Sequence, residues 1–374
     1  MSQGLSKILE NAVSGVAKLH PYLPGKPVDE LARELGLDPD SIVKLASNEN
    51  PLGPSPKVKA AIEAELSELT RYPDGNGFEL KQALSDTFGL QASQITLGNG
   101  SNDVLDLIAR TFLQSGTNAV FSQYAFAVYP ISTQAVGADL NIVPAKDYGH
   151  DLDAMANAIN DQTRVVFLAN PNNPTGTMFG SEEFQDFMAQ VPDHVVVVLD
   201  EAYSEYVSDA EYPDGLELLG QYTNLIVTRT FSKAYGLAAL RVGWSASAPE
   251  IADLLNRVRQ PFNVDSFALA AAKAALADKD YLERSKLVND QGMAQIISAL
   301  ESEGLAYVPS KGNFITVDFG RDAAPINQAF LEAGVILRPV ANYGMPTFLR
   351  VSIGTQEENQ RFIDVLKEMD LNVE

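Results

Sequence analysis

Val195-Val196-Val197-Val198-Leu199-Asp200-Glu201-Ala202-Tyr203 places five consecutive apolar residues directly before two carboxylates. A strand with one face in water alternates apolar and polar side chains, so an unbroken apolar run implies a strand covered on both faces. Gln94–Leu97, Asn118–Phe121 and Val165–Ala169 are strand-like apolar runs that precede it. Asp103–Gln114 and Glu182–Gln190 carry apolar positions at helical spacing between them. This alternation predicts an α/β fold, a large domain whose mostly parallel central sheet is covered by helices on both faces. Leu225–Thr228 adds a further short strand. Ligands of such sheets sit beyond the carboxyl ends of the strands. Gly98, Asn170, Asp200 and Arg229 each follow an expected strand, so their four loops should converge on one cleft.

The rest of the chain reads differently. Residues 249–286 are helical in pattern and broken at Pro261, and Asn313–Asp318, Val335–Leu337 and Leu349–Ser352 are short strand candidates. Gln356–Met369 forms a closing amphipathic helix. Segregated helices and strands suggest a smaller α+β domain. Pro21, Pro24, Pro27, Pro39, Pro51 and Pro54, with Pro56 just beyond, suggest an extended N-terminal arm over residues 18–55. The expected division is 1–45 for the arm and part of the small domain, 46–255 for the large domain and 256–374 for the small one.

Composition narrows the function. At 374 residues the chain exceeds what one core usually supports, and 45% hydrophobic with 20% charged residues is ordinary for a globular protein. A formal charge of -22 argues against nucleic acid or an anionic membrane as a partner. It also means that local arginines must draw in any anionic substrate. The absence of cysteine excludes disulfides, thiolate metal sites and cysteine nucleophiles, and His20, His150 and His194 lack ligand-like spacing. Lys7, Glu10 and Asn11 interrupt the apolar stretch a signal peptide needs, and no run of about 18 apolar residues occurs, so a cytoplasmic enzyme without metal is expected.

Thr230-Phe231-Ser232-Lys233-Ala234-Tyr235-Gly236 surrounds a lysine with hydroxyls, and Arg241 follows eight residues later. With Asp200 ending an apolar strand, these are the parts that hold pyridoxal phosphate. The amine takes the aldehyde as a Schiff base, the carboxylate pairs with the pyridinium nitrogen, and hydroxyls with a guanidinium take the phosphate. Tyr203 and Asn173 are placed to flank the ring's phenolic oxygen. Cationic neighbours and burial should lower the Lys233 pKa. Gly98-Asn99-Gly100-Ser101-Asn102 reads as a glycine turn that opens a helix toward a phosphate. A dinucleotide fingerprint is disfavoured because Asp103 falls where its third glycine belongs. A plain tight turn capped by Ser101 remains the simpler reading of that segment alone.

Lys44-Leu45-Ala46-Ser47-Asn48-Glu49-Asn50-Pro51, Arg71-Tyr72-Pro73-Asp74-Gly75, Ala169 to Gly176 and Ser232 to Gly236, with Gly334 to Pro339 and Phe348 to Thr355, give the chain a resemblance from about Leu19 onward. It resembles the fold-type I pyridoxal-phosphate aminotransferases, and within them the histidinol-phosphate aminotransferase subfamily. The resemblance implies that Lys233 carries the cofactor, that Asp200 pairs with its ring nitrogen, and that Asn173 and Tyr203 hold the phenolate oxygen. Ser101, Asn102, Thr230, Ser232 and Arg241 would hold the phosphate. Phe126 would stack on the ring, and Tyr72 would reach the phosphate of the neighbouring subunit in a homodimer. Arg350 would clamp the α-carboxylate of glutamate or 2-oxoglutarate, while Arg338 with Tyr22 would meet the phosphate of histidinol phosphate. Aminotransferases of phenylalanine, tyrosine or prephenate share the fold and remain the alternative. A cofactor-dependent decarboxylase or lyase ranks below these, and a non-catalytic regulator last.

Overall fold

The computed structural model describes residues 8–19, 21–22 and 24–369. His20 and Lys7 therefore lie outside the described residues. The strands are β1 Val43–Lys44, β2 Ile95–Gly98, β3 Asn118–Ser122, β4 Asp139–Val143, β5 Thr163–Ala169, β6 Val196–Asp200 and β7 Leu225–Thr230. They continue with β8 Gly243–Ser247, β9 Ala306–Val308, β10 Phe314–Asp318, β11 Val335–Ile336, β12 Arg338–Pro339 and β13 Phe348–Ser352. Seven strands form one sheet in the order β2-β8-β7-β6-β5-β3-β4, in which β8 alone runs against the others.

The unbroken apolar run is buried as its composition requires. Val197 and Leu199 join one apolar cluster, while Val196 and Val198 join another on the opposite face. Burying such a side chain contributes about 1.5–3 kcal/mol each. That apolar frame is what allows β6 to end on a buried carboxylate. The first cluster includes Val58, Leu80 and Leu84 together with Ala268 to Leu276. The helix Ser266–Leu276 thus packs on the same core as the helices Pro56–Glu65 and Phe78–Phe88.

A second core gathers Ile296, Leu300, Ile315, Val317, Phe330, Val351, Phe362 and Leu366 around the antiparallel sheet β12-β13-β10-β9. The helix Lys279–Ser302 supplies residues to this core, and the helix Gln356–Glu368 closes it. Leu45 belongs to the same core, because β1 pairs in parallel with β11.

Three expectations change. The N-terminal arm is not extended throughout: Val28–Leu35 is helical, started by Pro27, led by Asp29 and Glu30 and ended by Gly36 at φ 68°. β4 and β8 were not anticipated, the first a half-exposed edge strand and the second made of small residues around the single Trp244. Finally, β7 extends to Thr230, so Arg229 lies inside a strand and not in a loop. Strand alternation turns Arg229 away from the cleft, where it pairs with Glu201 at 2.7 Å and Asp214 at 2.7 Å.

Candidate active site

The carboxyl ends of β5, β6 and β7 and the glycine turn after β2 enclose a cavity of about 450 Å³. Lys233, Asp200, Tyr203, Ser101, Asn102, Phe126, Asn173, Thr230, Ser232, Arg241, Arg350 and Tyr22 all line it. Tyr72 and Arg338 do not. Among the described residues, no group of three His, Asp or Glu side chains is placed to hold a metal ion, and no helix is long and apolar enough to cross a membrane.

One end of the cavity is built for an anion. Gly100 has φ +80°, which favours glycine, and a Cβ there would displace the Arg241 guanidinium from its place at the turn. The helix Ser101–Phe112 starts immediately, with its first-turn N–H groups and positive dipole end at the cavity wall. Arg241 donates to Ser232 Oγ at 3.2 Å and to the Ala238 carbonyl at 2.9 Å. Thr230 Oγ1 accepts from the Ser232 N–H at 3.1 Å. Ser101 does not cap the helix with its side chain.

The other end is built for a cationic ring nitrogen. Asp200 is 4% exposed, and its two oxygens accept from Tyr129 Oη at 2.7 Å and Thr228 Oγ1 at 3.0 Å. Burial pushes its carboxyl pKa up, and the two hydroxyl bonds oppose that shift. No ion pair among the described residues compensates it, so a carboxylate here fits a protonated pyridine.

Lys233 lies between these ends. Burial lowers its amine pKa to about 7, with Arg350 and Arg241 acting in the same direction and Glu49 against. Its Nζ donates to the Ser47 carbonyl at 3.1 Å and lies 5.8 Å from the Tyr203 ring centroid. Burial pushes the Tyr203 phenol up to about 12, and its Oη accepts from Asn48 Nδ2 at 2.9 Å. Phe126 meets Tyr129 edge to face at 5.9 Å, on the same wall.

Two arginines face each other across β12 and β13, where Arg338 is the register partner of Arg350. Arg350 donates to Asn173 Oδ1 at 2.5 Å and to the Ala46 carbonyl at 2.8 Å, and its Nε is buried without a partner. Arg338 is buried with its guanidinium 5.1 Å from the Tyr22 ring. Neither makes an ion pair with a carboxylate among the described residues. Two buried guanidinium groups without acidic partners fit an anionic substrate. Tyr72 is 82% exposed and stacks on Phe262 at 4.7 Å, away from its own cavity.

Sequence reasoning missed Tyr129, Thr228 and Asn48. Thr228 meets Asp200 as its register partner, a pairing that exists only once β6 and β7 lie side by side. Tyr129 lies three residues after Phe126, at the start of the helix Val128–Ala135. Asn48 acts across the fold, and no local pattern marks it.

The comparisons agree with this geometry. Residues 40–366 match the model of the family described as aminotransferase class I and II. The chain is 65% identical over 362 residues to histidinol-phosphate aminotransferase 2 of Pseudomonas aeruginosa, covering 97% of this chain and 98% of the relative. It is 58% identical over 361 residues to the histidinol-phosphate aminotransferase of Stutzerimonas stutzeri, covering 95% and 96%. The crystal structure of histidinol-phosphate aminotransferase from Sinorhizobium meliloti in complex with pyridoxal-5'-phosphate superposes with a TM-score of 0.87 at 30% identity, over 96% of this chain and 97% of that one. Pyridoxal phosphate is the cofactor of this class, and the chain belongs to the histidinol-phosphate aminotransferase family of class I and II aminotransferases.

Proposed function

We propose that the chain transfers the amino group between L-histidinol phosphate and 2-oxoglutarate, giving imidazole-acetol phosphate and L-glutamate, in L-histidine biosynthesis. The observation that carries the substrate choice is the Arg338–Arg350 pair, buried and free of carboxylates among the described residues. When bound, pyridoxal phosphate supplies an aldehyde for the amino group and a ring that withdraws electrons from Cα. Ser101, Asn102, Thr230, Ser232 and Arg241 hold its phosphate, and Asp200 keeps the ring nitrogen protonated. Asn173 and Tyr203 face its phenolic oxygen, with Phe126 against the ring. Lys233 Nζ, whose pKa lies near neutrality, would hold the cofactor's aldehyde carbon and, once the substrate's amine has displaced it, would take up and return the proton at the substrate's Cα. Arg350 clamps a substrate carboxylate, and Arg338 with Tyr22 takes the phosphate of histidinol phosphate.

We place the reaction in the cytoplasm and in a homodimer whose Tyr72 serves the neighbouring subunit. The exposure of Tyr72 and its distance from its own cavity support that reading. Sedimentation equilibrium that finds a fully active monomer removes it. The substrate test is Arg338→Ala. Losing one charge-assisted pair of about 1.5–3 kcal/mol lowers kcat/KM for histidinol phosphate roughly ten- to a hundredfold, while the glutamate half-reaction suffers less. Wild-type preference for phenylalanine over histidinol phosphate would instead establish the aromatic aminotransferase reading.

A further inference from the structure

We infer that Asn48 is a positioning residue that points the Tyr203 hydroxyl proton into the cavity, and that Ser352 of the small sheet fixes the orientation of Asn48. This rests on the cofactor reading above.

Asn48 lies where the chain crosses from β1 to the cleft. It is 1% exposed at φ 55°, a left-handed conformation that asparagine tolerates. Its backbone N–H donates to Ser352 Oγ at 2.8 Å, and Ser352 Oγ donates back to Asn48 Oδ1 at 3.0 Å. Ser352 is 3% exposed, and the acceptor its hydroxyl proton has is Asn48 Oδ1. Flipping the Asn48 amide would set an NH₂ group against Ser352 and leave that hydroxyl proton without its acceptor. The amide oxygen therefore faces Ser352, and Nδ2 faces Tyr203.

Nδ2 then donates to Tyr203 Oη at 2.9 Å. An oxygen that accepts from one side sends its own proton elsewhere, and among the described residues no protein atom accepts it. Tyr203 and Asn48 both line the cavity. The charged and titratable groups that act on Tyr203 are Arg350, Asp200 and Tyr343, with Lys233 near its ring, and burial keeps the phenol protonated. Asn313 on the small-core side donates to the Asn48 carbonyl at 3.0 Å, so the residue is held from β13 and from the edge of β10 together. The chain Ser352 to Asn48 to Tyr203 carries hydrogen-bond direction from the small core to the oxygen of the cofactor ring.

The test is the visible absorption of the cofactor-loaded protein, titrated with pH. Variants are Tyr203→Phe, Asn48→Asp, Asn48→Gly and the Asn48→Asp/Tyr203→Phe double substitution, each checked by melting temperature. Aspartate keeps the size and the left-handed tolerance of asparagine but accepts where asparagine donates, so it draws the Tyr203 proton to itself. Losing proton donation leaves the ring oxygen more basic, and the absorption midpoint rises. Tyr203→Phe is expected to raise it by about one pH unit or more. Asn48→Asp should raise it by a similar amount with Tyr203 present, and clearly less in the double substitution, where only its charge acts. Asn48→Gly, which accepts the same φ, should give part of the shift and serves if the aspartate variant does not fold. Equal shifts from Asn48→Asp with and without Tyr203, or an unmoved midpoint in Asn48→Gly, overturn the role of Asn48. A midpoint that Tyr203→Phe itself leaves unmoved overturns the cofactor reading as well.

Discussion

Arg229→Met tests whether the ion pair behind β6 holds the strand that presents Asp200. Arg229 contacts Glu201 through Nε at 2.9 Å and through its terminal nitrogen at 2.7 Å, and Asp214 at 2.7 Å. The Glu201 side chain is 0% exposed, so removing the cation strands a buried charge, at a cost of about 3–5 kcal/mol. The Asp214 side chain is well exposed, and its half of the network adds about 0–1 kcal/mol. The guanidinium also lies over Phe88 at 5.3 Å, a contact of about 1 kcal/mol that the methionine thioether largely replaces. The expected loss is therefore about 4 kcal/mol near pH 8. Urea is the suitable denaturant because it does not screen charge, and Trp244, the chain's one tryptophan and the register partner of Arg229, reports on this point of the sheet. Adding Glu201→Gln to the variant removes the stranded charge while leaving an oxygen for the Gly215 N–H, now held at 2.7 Å. The double substitution should regain at least half of the loss. A single-variant loss under about 1 kcal/mol, or a double variant as unstable as the sum of the two singles, would refute the stranded-charge account.

Borohydride reduction of the loaded protein should fix the cofactor on Lys233, and peptide mapping that finds it on another lysine removes the site assignment. Because burial lowers the Lys233 amine to about 7, the rate at which apo-protein takes up the cofactor should rise with pH to a plateau with a midpoint near 7. A midpoint in the usual lysine range would contradict the burial argument. Lys233→Ala should lose at least about a hundredfold in turnover, the range of general acid–base catalysis. Glu205 is raised by burial to about 7, and its Oε2 has no partner. A raised carboxyl binds its proton more tightly folded than unfolded, so its contribution is full below about 4.5 and is lost as pH rises through about 7. Glu205→Gln should remove that slope and stabilise the protein at pH 8 by an amount on the order of 3 kcal/mol, read from urea unfolding at pH 5 and pH 8.

What the sequence made readable depended on how local each cause was. The Val195–Leu199 run announced a strand covered on both faces because its whole environment is apolar. β8 was invisible because Gly243 is chosen for space: a Cβ there would strike the Ser101 backbone, a contact made by a distant segment. The helix Val28–Leu35 hid among prolines, although Pro27 starts it and Gly36 ends it. Within the site, Lys233, Asp200 and Arg241 were readable because chemistry dictates their type. Tyr129, Thr228 and Asn48 act through Asp200 and Tyr203, and contacts of that kind exist only after folding. Arg229 was misplaced by the position of a strand end, which reverses the direction a side chain takes.

The pairing of Val43 with Val335 has a consequence for how the chain is made. On the ribosome, the segment Val58 to Leu276 that fills the first cluster can emerge and collapse while the strand destined for β1 still waits for its partner. That partner emerges long after β1, so the pairing that slots Leu45 into the small core is one of long sequence separation and follows the collapse of the first cluster. Until then Ser47 to Asn50 are held through Lys233, Tyr203, Ala234 and Ser285, without the hold of Ser352 and Asn313 on Asn48. A nascent chain of this design can form its phosphate cup before Ser352 is there to hold Asn48 in place.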